Sequence, residues 1–330
     1  MSASRICLYY RVEPERDRWI SGDRFFRTLV RRIVRGKPRI GGVEKVFANL
    51  CLGLDRLRVP YEVNLPFHKL QDGDRVGVLG RGRFSLTGYD RPNPIVAGIG
   101  LMTHPSEWPS LCKEYPIAKY LQHSEWTTNI YRPYFGEKCA TWPVGIDTEK
   151  WQPANTSKEF DFLIYDKVLW EHEKYERKLI EPIRKELRRR KLIFEEIRYG
   201  FYEEEDFRKK LAKCRAMIFL CEHESQGLAC QECLATNVPV LAWDQGFWLD
   251  PNRLFWNTPN ITATSTPYFD KRCGLKFKTI NEFSSVLNIF LENQIKNLFS
   301  PRSYILENLT LEKSAKAFIA LLNEANMKNE

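Results

Sequence analysis

The sequence predicts an α/β protein made of two units, each a parallel β-sheet flanked by helices. Short runs rich in β-branched and aromatic residues alternate with longer segments of helical periodicity, which is the order of strands and crossover helices in parallel sheets. The 330 residues are enough for two hydrophobic cores, because single cores stop growing at about 250–300 residues. A turn-rich stretch from Trp142 to Pro153 separates two series of these runs.

The predicted strands follow this division. The first series is Ile6–Val12, Tyr61–Leu65, Arg75–Leu79, Ile95–Leu101 and Lys119–His123, and the second is Asp161–Tyr165, Phe194–Tyr199, Ala216–Cys221 and Val238–Trp243. Near the end of the chain, Leu311, Phe318 and Leu322 have the spacing of one face of a long helix. We therefore predict a first domain at 1–148, a second at 149–305 and a terminal helix within 306–330.

Composition narrows the class of protein. Hydrophobic residues make up 43% and charged residues 28%, a balance typical of folded globular proteins. No apolar run approaches the roughly 18 residues that span a bilayer, and the opening run is too short for a secretory signal, so we expect a cytoplasmic protein. The nine cysteines have no repeating spacing, which indicates reduced thiols. Cys230 and Cys233 lack a second pair nearby, so they indicate a structural pair and no zinc site.

The net charge of +9 is concentrated near the start of the chain. Residues 11–39 contain ten basic and four acidic residues. On a helix, Arg24, Arg27, Arg31 and Arg35 would lie largely opposite an apolar face, a pattern that suits an anionic membrane surface. The alternative is a solvated basic helix packed on its own domain. The first interpretation predicts peripheral attachment at the inner face of the membrane.

The most informative segment is 221–244, which runs from a strand end through a turn into a helix and on to another strand. Ligands bind at the carboxyl ends of parallel strands, and a helix N-terminus with free N–H groups suits a diphosphate. Glu232 would lie in the first turns of the helix, where a carboxylate can accept hydrogen bonds from ribose hydroxyls. Glu224 precedes the turn and would face a cleft. The alternative is a helix whose early glutamate merely favours the helix dipole.

This pair lies in Glu-Ser-x-Gly-Leu-x-x-x-Glu-x-Leu-Ala-x-x-x-Pro-Val, starting at Glu224, which resembles the E-x7-E signature of family 4 glycosyltransferases, also called glycosyl transferases group 1. Three other segments resemble the family in the same order: 41–50, 142–151 and 304–312. The resemblance implies the GT-B fold, in which two Rossmann-like domains face each other across a cleft and a C-terminal helix crosses back.

The family resemblance also implies an activity and a site. The activity is transfer of a sugar from a nucleoside diphosphate sugar to a hydroxyl of a glycan or lipid-linked acceptor, with retention at the anomeric carbon. The nucleotide sugar is a co-substrate, so no cofactor and no nucleic acid partner are expected. The implied catalytic residues are Glu224 and His104. The implied donor-binding residues are Glu232, Lys167, Lys174, Gly41, Gly42, Ser225, Gln226, Gly227 and Leu228.

One departure from the family pattern concerns the cations that bind the diphosphate. The family carries an arginine and a lysine in G-R-L-x-x-x-K-G, whereas residues 162–174 lack the glycines and the arginine, leaving Lys167 and Lys174. No Asp-x-Asp motif of a metal-bound diphosphate is present, so we expect catalysis without a metal. Two rival functions are a nucleotide-sugar epimerase on the same scaffold and a non-catalytic relative that binds a nucleotide sugar or a membrane. For His104, the rival interpretation is a structural histidine.

Overall fold

The computed structural model describes residues 4–13, 41–258 and 260–327. They form two parallel sheets. The strands of the first sheet are β1 (Ile6–Tyr9), β2 (Tyr61–Val63), β3 (Arg75–Val78), β4 (Ile95–Gly98), β5 (Ile117–Gln122) and β6 (Cys139–Thr141), in the order β2-β1-β3-β4-β5-β6. Those of the second are β7 (Phe160–Lys167), β8 (Phe194–Arg198), β9 (Cys214–Cys221), β10 (Val240–Trp243) and β11 (Gly274–Phe277), in the order β11-β10-β9-β7-β8.

Helices connect these strands and cover the sheets. They are α1 (Gly42–Arg56), α2 (Leu111–Glu114), α3 (Glu125–Phe135), α4 (His172–Tyr175), α5 (Glu181–Arg189), α6 (Glu204–Lys213), α7 (Leu228–Ala235), α8 (Ile280–Ile295), α9 (Pro301–Asn308) and α10 (Leu311–Met327). A π-helical turn, Glu176–Ile180, lies between α4 and α5. The central strands of each sheet are buried on both faces, which explains why strands such as β1, β4 and β9 are nearly continuous apolar runs.

The α/β prediction is confirmed, and each of the nine predicted strands corresponds to a strand of the structure. Two strands were missed. β6 (Cys-Ala-Thr) and β11 (Gly-Leu-Lys-Phe) each contain only one of the β-branched and aromatic residues by which strands are recognised. The two sheets draw their strands from residues 6–141 and 160–277. The domain boundaries at 148 and 305 stay a prediction.

The terminal helix crosses back to the first sheet. Ala315, Phe318 and Leu322 of α10 belong to the apolar cluster that also contains Ile6 and Leu8 of β1. The helix approaches α1 so closely that a Cβ on Gly53 would lie 2.6 Å from the main-chain oxygen of Leu311. Glycine at this position is therefore required by the packing of the two helices.

A second connection is the bridging loop, residues 245–263, which follows β10. Trp248 and Ala263 of this loop are buried in the apolar cluster of the first sheet, together with residues such as Leu101 and Trp108. The loop therefore spans from the second unit to the first. Within the part of the chain that the structure describes, no helix combines the length and apolar character needed to cross a bilayer.

Candidate functional site

Lys167 and Glu224 meet at the carboxyl edge of the second sheet. Lys167 ends β7 and is in register with Cys221, which ends β9, so the residues that follow Cys221 pass beside the lysine. The Lys167 ammonium forms an ion pair with the Glu224 carboxylate, and the two side chains are only 16% and 11% exposed. The ammonium also lies 4.5 Å from the centre of the Tyr199 ring. Lys167 therefore carries its charge beside Glu224, at the edge where a ligand is expected.

The electrostatics of this pair are set by burial and by proximity. Burial by itself lowers the pKa of Lys167, but the adjacent Glu224 carboxylate raises it, and the net effect is a pKa above the ordinary value for lysine. The ammonium is therefore protonated at neutral pH. It has three N–H donors, so it can contact a carboxylate and a phosphate oxygen together.

The main chain around Glu224 is held from both units. Its N–H donates to the Thr264 oxygen, 3.0 Å away, and its oxygen accepts from the indole Nε1 of Trp126 on α3, 2.9 Å away. The second bond joins the unit of the first sheet to the loop that carries Glu224. The position of this glutamate is therefore determined by the relation between the two units.

The turn from Ser225 to Leu228 begins α7. Gly227 has a φ of +85°, a left-handed conformation that glycine adopts without strain, and it leaves the start of the helix without a side-chain cap. Gln226 is buried and its amide bonds to the main chain of Val144 through both atoms, at 2.9 and 2.6 Å. Ser225 is exposed and Leu228 is half-buried. The N–H groups at the start of α7 are thus available, whereas the Gln226 side chain fixes the turn.

Glu232 lies on α7 and pairs with a lysine from the other unit. Its carboxylate forms an ion pair with the ammonium of Lys45 on α1, and only 5% of its side chain is exposed. Lys45 also contacts Glu204 at 2.7 Å. Burial raises the pKa of Glu232, and Lys45 opposes this effect. Sequence reasoning did not identify Lys45, although it follows Gly41 and Gly42 by one helical turn.

The two glycines lie at the start of α1. A Cβ on Gly41 would collide with the guanidinium of Arg81, whereas a Cβ on Gly42 would meet nothing within 4 Å. Arg81 follows β3 and was not identified from the sequence; the signal was its position between Gly80 and Gly82 directly after a strand. The structure therefore adds a cation beside the glycines. This cation lies on the first unit, not in the 162–174 segment.

Lys174, the other predicted diphosphate ligand, lies on the short helix α4. Its ammonium is paired with Glu171 at 2.7 Å, and 44% of its side chain is exposed. Its role at the donor site stays a prediction.

Three histidines, His104, His123 and His223, make contacts between the two units. His104 is fully buried; its Nδ1 is 2.7 Å from the Ser106 hydroxyl and its ring stacks on Trp256 of the bridging loop, 4.9 Å between centres. His123 directly follows β5, and its main-chain oxygen accepts from the Tyr268 hydroxyl of the second unit, 2.5 Å away. His223 precedes Glu224. The catalytic role predicted for His104 stays untested.

Neither His123 nor His223 was singled out from the sequence, although the position of His123 at a strand end was predicted. The Nδ1 atom of His123 is buried without a hydrogen-bond partner. Burial lowers the pKa of His123 to about 4, so its ring is neutral at pH 7. Burial, followed by the charges of Lys167 and Arg253, lowers the pKa of His223 to about 4 as well. Neutral rings at these positions can donate or accept a hydrogen bond without adding charge.

Other site predictions concern the basic helix and metal binding. Arg24, Arg27, Arg31 and Arg35 lie outside the described residues. Within residues 4–13, 41–258 and 260–327, no group of three or more histidine, cysteine or carboxylate side chains is placed to hold a metal ion. Expectations about a cofactor or metal stay predictions.

Solved structures with a similar architecture are glycosyltransferases. A point variant of TarM from S. aureus, in complex with fondaparinux, alpha-GlcNAc-glycerol and UDP, gives a TM-score of 0.54 at 13% identity, over 75% of this chain and 55% of that chain. The pneumococcal O-GlcNAc transferase GtfA, in complex with UDP and GlcNAc, gives 0.51 at 11% identity, over 78% and 58%. The chain has the GT-B fold.

This likeness concerns the fold. The chain spans about half the length of these solved structures, and at such low identity a shared fold does not carry an activity with it. No protein-family model and no curated protein sequence matches the chain. Family 4 membership therefore stays a resemblance of motifs, and the activity must be argued from the site.

Proposed function

We propose that the protein is a glycosyltransferase that moves a sugar from a nucleoside diphosphate sugar to a hydroxyl of a glycan or lipid-linked acceptor, with retention at the anomeric carbon. The observation that carries this proposal is the set of groups around the start of α7. It comprises the Lys167–Glu224 ion pair, an uncapped helix N-terminus and the buried Glu232 carboxylate. Two solved structures of similar fold, those of the TarM variant and of GtfA, are complexes with UDP, which supports a nucleotide donor.

In this proposal, cations and helix N–H groups bind the diphosphate. The N–H groups that begin α7 are partly positive, and the Lys167 ammonium adds a charge that it shares with Glu224, so together they offset part of the charge of two ionised phosphates. Arg81 supplies a further cation from the first unit, beside Gly41 and Gly42. This arrangement requires no metal ion, because the fixed positive groups neutralise the leaving diphosphate.

The two glutamates serve different parts of the donor. Glu232 accepts hydrogen bonds from the ribose hydroxyls, far from the bond that breaks. Glu224 lies beside the transferred sugar, where positive charge develops at the anomeric carbon in the transition state, and a nearby carboxylate stabilises that charge. His104 stays the histidine that we propose beside the transferred sugar, and His123, neutral and with an unpartnered buried Nδ1, is a second histidine of the first unit for this role.

Turnover tests the proposal. The protein would be incubated with a panel of labelled nucleotide sugars, with and without glycan or lipid-linked acceptors, and the release of nucleoside diphosphate followed. Release that depends on the acceptor supports a transferase. An epimerised donor without release would indicate the epimerase, and binding without any conversion would indicate the non-catalytic relative. Either of these two results would contradict the proposed function.

We further propose that the segment containing Arg24, Arg27, Arg31 and Arg35 attaches the enzyme to anionic membranes. Each basic residue near such a surface contributes about 1 kcal/mol, so three or four together suffice for reversible attachment. Cosedimentation with vesicles containing anionic lipid should be strong at low salt and weak at high salt. If replacement of Arg27, Arg31 and Arg35 by Glu leaves cosedimentation unchanged, the segment does not bind membranes.

A further inference from the structure

The ion pair between Lys45 and Glu232 crosses between the two units. Lys45 lies on α1, which packs on the first sheet, and Glu232 lies on α7, which packs on the second. The Lys45 side chain is 22% exposed and that of Glu232 is 5% exposed. Charged groups removed from water are strongly destabilised unless each meets a partner. The two units therefore depend on each other for the charge balance at this position.

The Lys45 ammonium is fixed from several sides. It contacts the Oε2 atom of Glu204 on α6 at 2.7 Å, and it lies 5.5 Å from the centre of the Trp151 ring. Glu204 in turn pairs with Lys150. Lys45 is thus the group through which the buried Glu232 is connected to an ion-pair network that reaches the surface.

The Lys45 ammonium contacts the Oε1 atom of Glu232. A carboxylate offers about four lone-pair sites, so a carboxylate in contact with one ammonium can accept further hydrogen bonds. An ionised carboxylate held on one side by an ammonium is a rigid acceptor for two neighbouring hydroxyl groups. This is the chemistry that a ribose diol requires.

We propose that Lys45 is a positioning residue of the donor site, which keeps the Glu232 carboxylate ionised and oriented toward the ribose of the nucleotide. This inference rests on the proposed function, in which Glu232 binds the ribose. It assigns to the first unit a residue that acts on the donor through another side chain.

The proposal predicts a change in the pH dependence of nucleotide binding. The groups that act on the Glu232 charge are Lys45, Glu204, Lys150, Tyr165 and Tyr202. Burial raises the pKa of Glu232, and Lys45 is the foremost group that opposes this rise. Without Lys45 the pKa rises further, so protonation of Glu232 begins at a higher pH. The protonated acid is a poorer hydrogen-bond acceptor than the carboxylate. As the pH is lowered, the affinity of the variant for nucleotide therefore begins to fall at a higher pH than the affinity of the unaltered protein.

The experiment is calorimetric titration of the full chain with UDP, GDP and ADP, and then with the 2′-deoxy analogue of the one that binds. The variants are Lys45→Met, Lys45→Gln and Lys45→Arg. Lys150→Met is the matched control, because it removes a lysine of the same network that contacts Glu204. Thermal unfolding shows which variants are folded. If Lys45→Met does not fold, Lys45→Gln is used in its place.

We expect Lys45→Met or Lys45→Gln to raise Kd about tenfold at neutral pH, the loss expected for one charged hydrogen-bonding partner. The defect should grow as the pH is lowered and Glu232 takes up a proton. Lys45→Arg should restore most of the affinity, and Lys150→Met should stay within about twofold because it leaves the Glu232 contact in place. With the 2′-deoxy analogue the difference between unaltered and variant protein should shrink, since part of the ribose contact is already lost.

Several results would overturn the inference. If the unaltered protein binds UDP but the folded variants bind it equally well with the same pH profile, Lys45 has no positioning role, and the proposed function stands. Tighter binding by the variants would show that Lys45 competes with the ribose for Glu232, which also overturns it. If the unaltered protein binds none of the nucleoside diphosphates, the proposed function itself fails, and this inference with it.

Discussion

Replacing Glu224 by Gln should separate the catalytic role of this residue from its structural role. Glu224 and Lys167 form an ion pair whose side chains are 11% and 16% exposed. Gln keeps the shape and one acceptor oxygen for the ammonium but removes the negative charge. The variant therefore isolates the loss of charge at a position that stays hydrogen-bonded.

The stability cost follows from the burial of the pair. Breaking a fully buried ion pair costs about 3–5 kcal/mol, because the remaining charge is left without compensation. Here the residual exposure and the acceptor oxygen of Gln reduce the cost, and we expect about 1–3 kcal/mol. For a domain of ordinary size this corresponds to a decrease in Tm of about 2–4 °C per kcal/mol. The variant should therefore be folded at assay temperature, which thermal unfolding will check.

The effect on catalysis should be larger and should appear in kcat. If the carboxylate stabilises charge that exists only in the transition state, its loss should lower kcat by about a hundredfold, or about 2.7 kcal/mol. The KM for the donor should stay the same or fall. With a neutral Gln at position 224, no carboxylate there competes with the diphosphate for the positive charge of Lys167. Steady-state kinetics with saturating acceptor measures both parameters. A folded Glu224→Gln protein with near-normal kcat would refute the assignment of Glu224 beside the reacting sugar.

Three further predictions follow from the structure. Glu232→Ala should raise the donor KM by about tenfold or more with little change in kcat, as expected for loss of about 1–3 kcal/mol of ribose binding, and a fall in kcat alone would argue against it. Chelation with EDTA should leave turnover unchanged; loss of activity restored by Mn²⁺ or Mg²⁺ would contradict the metal-free site. Gly53→Ala should lower the free energy of unfolding by about 1–3 kcal/mol, because the new Cβ meets the Leu311 oxygen at 2.6 Å. Thermal unfolding measures this loss, and Gly42→Ala is the control because its Cβ meets nothing within 4 Å.

The sequence predicted what depends on local pattern. Alternating strand and helix signals identified nine of the eleven strands in the described part of the chain. The position of Glu224 after β9 and of Glu232 on α7 follows from a strand, a glycine turn and a helix in succession. These features are determined by residues a few positions apart. For this reason the edge of the second sheet could be located before the structure was known.

The partners of these residues could not be predicted in the same way. Lys45 meets Glu232, and Arg81 meets Gly41, only because α1 and the loop after β3 are brought together by packing between elements far apart in sequence. The bridging loop gives no periodic signal, yet it places Trp256 against His104. His104 was selected because it follows a predicted strand at the place where the family has a histidine near the transferred sugar, and neither signal indicates that its ring stacks on Trp256. That orientation depends on the loop.

The charges of the site bear on how a donor is bound. In the structure the two glutamates are balanced by two lysines, Glu224 by Lys167 and Glu232 by Lys45. On the proposed function, a diphosphate brings two ionised phosphates to a site whose lysines are already paired. The start of α7 contributes only about half a unit of positive charge, which is not enough. The charge deficit favours recruitment of Arg81, which lies beside Gly41, one helical turn before Lys45. Because Arg81 belongs to the first unit and Lys167 to the second, a donor bound by both would hold the two units together, and Arg81 would take the place of the arginine of the family 4 pattern that residues 162–174 lack.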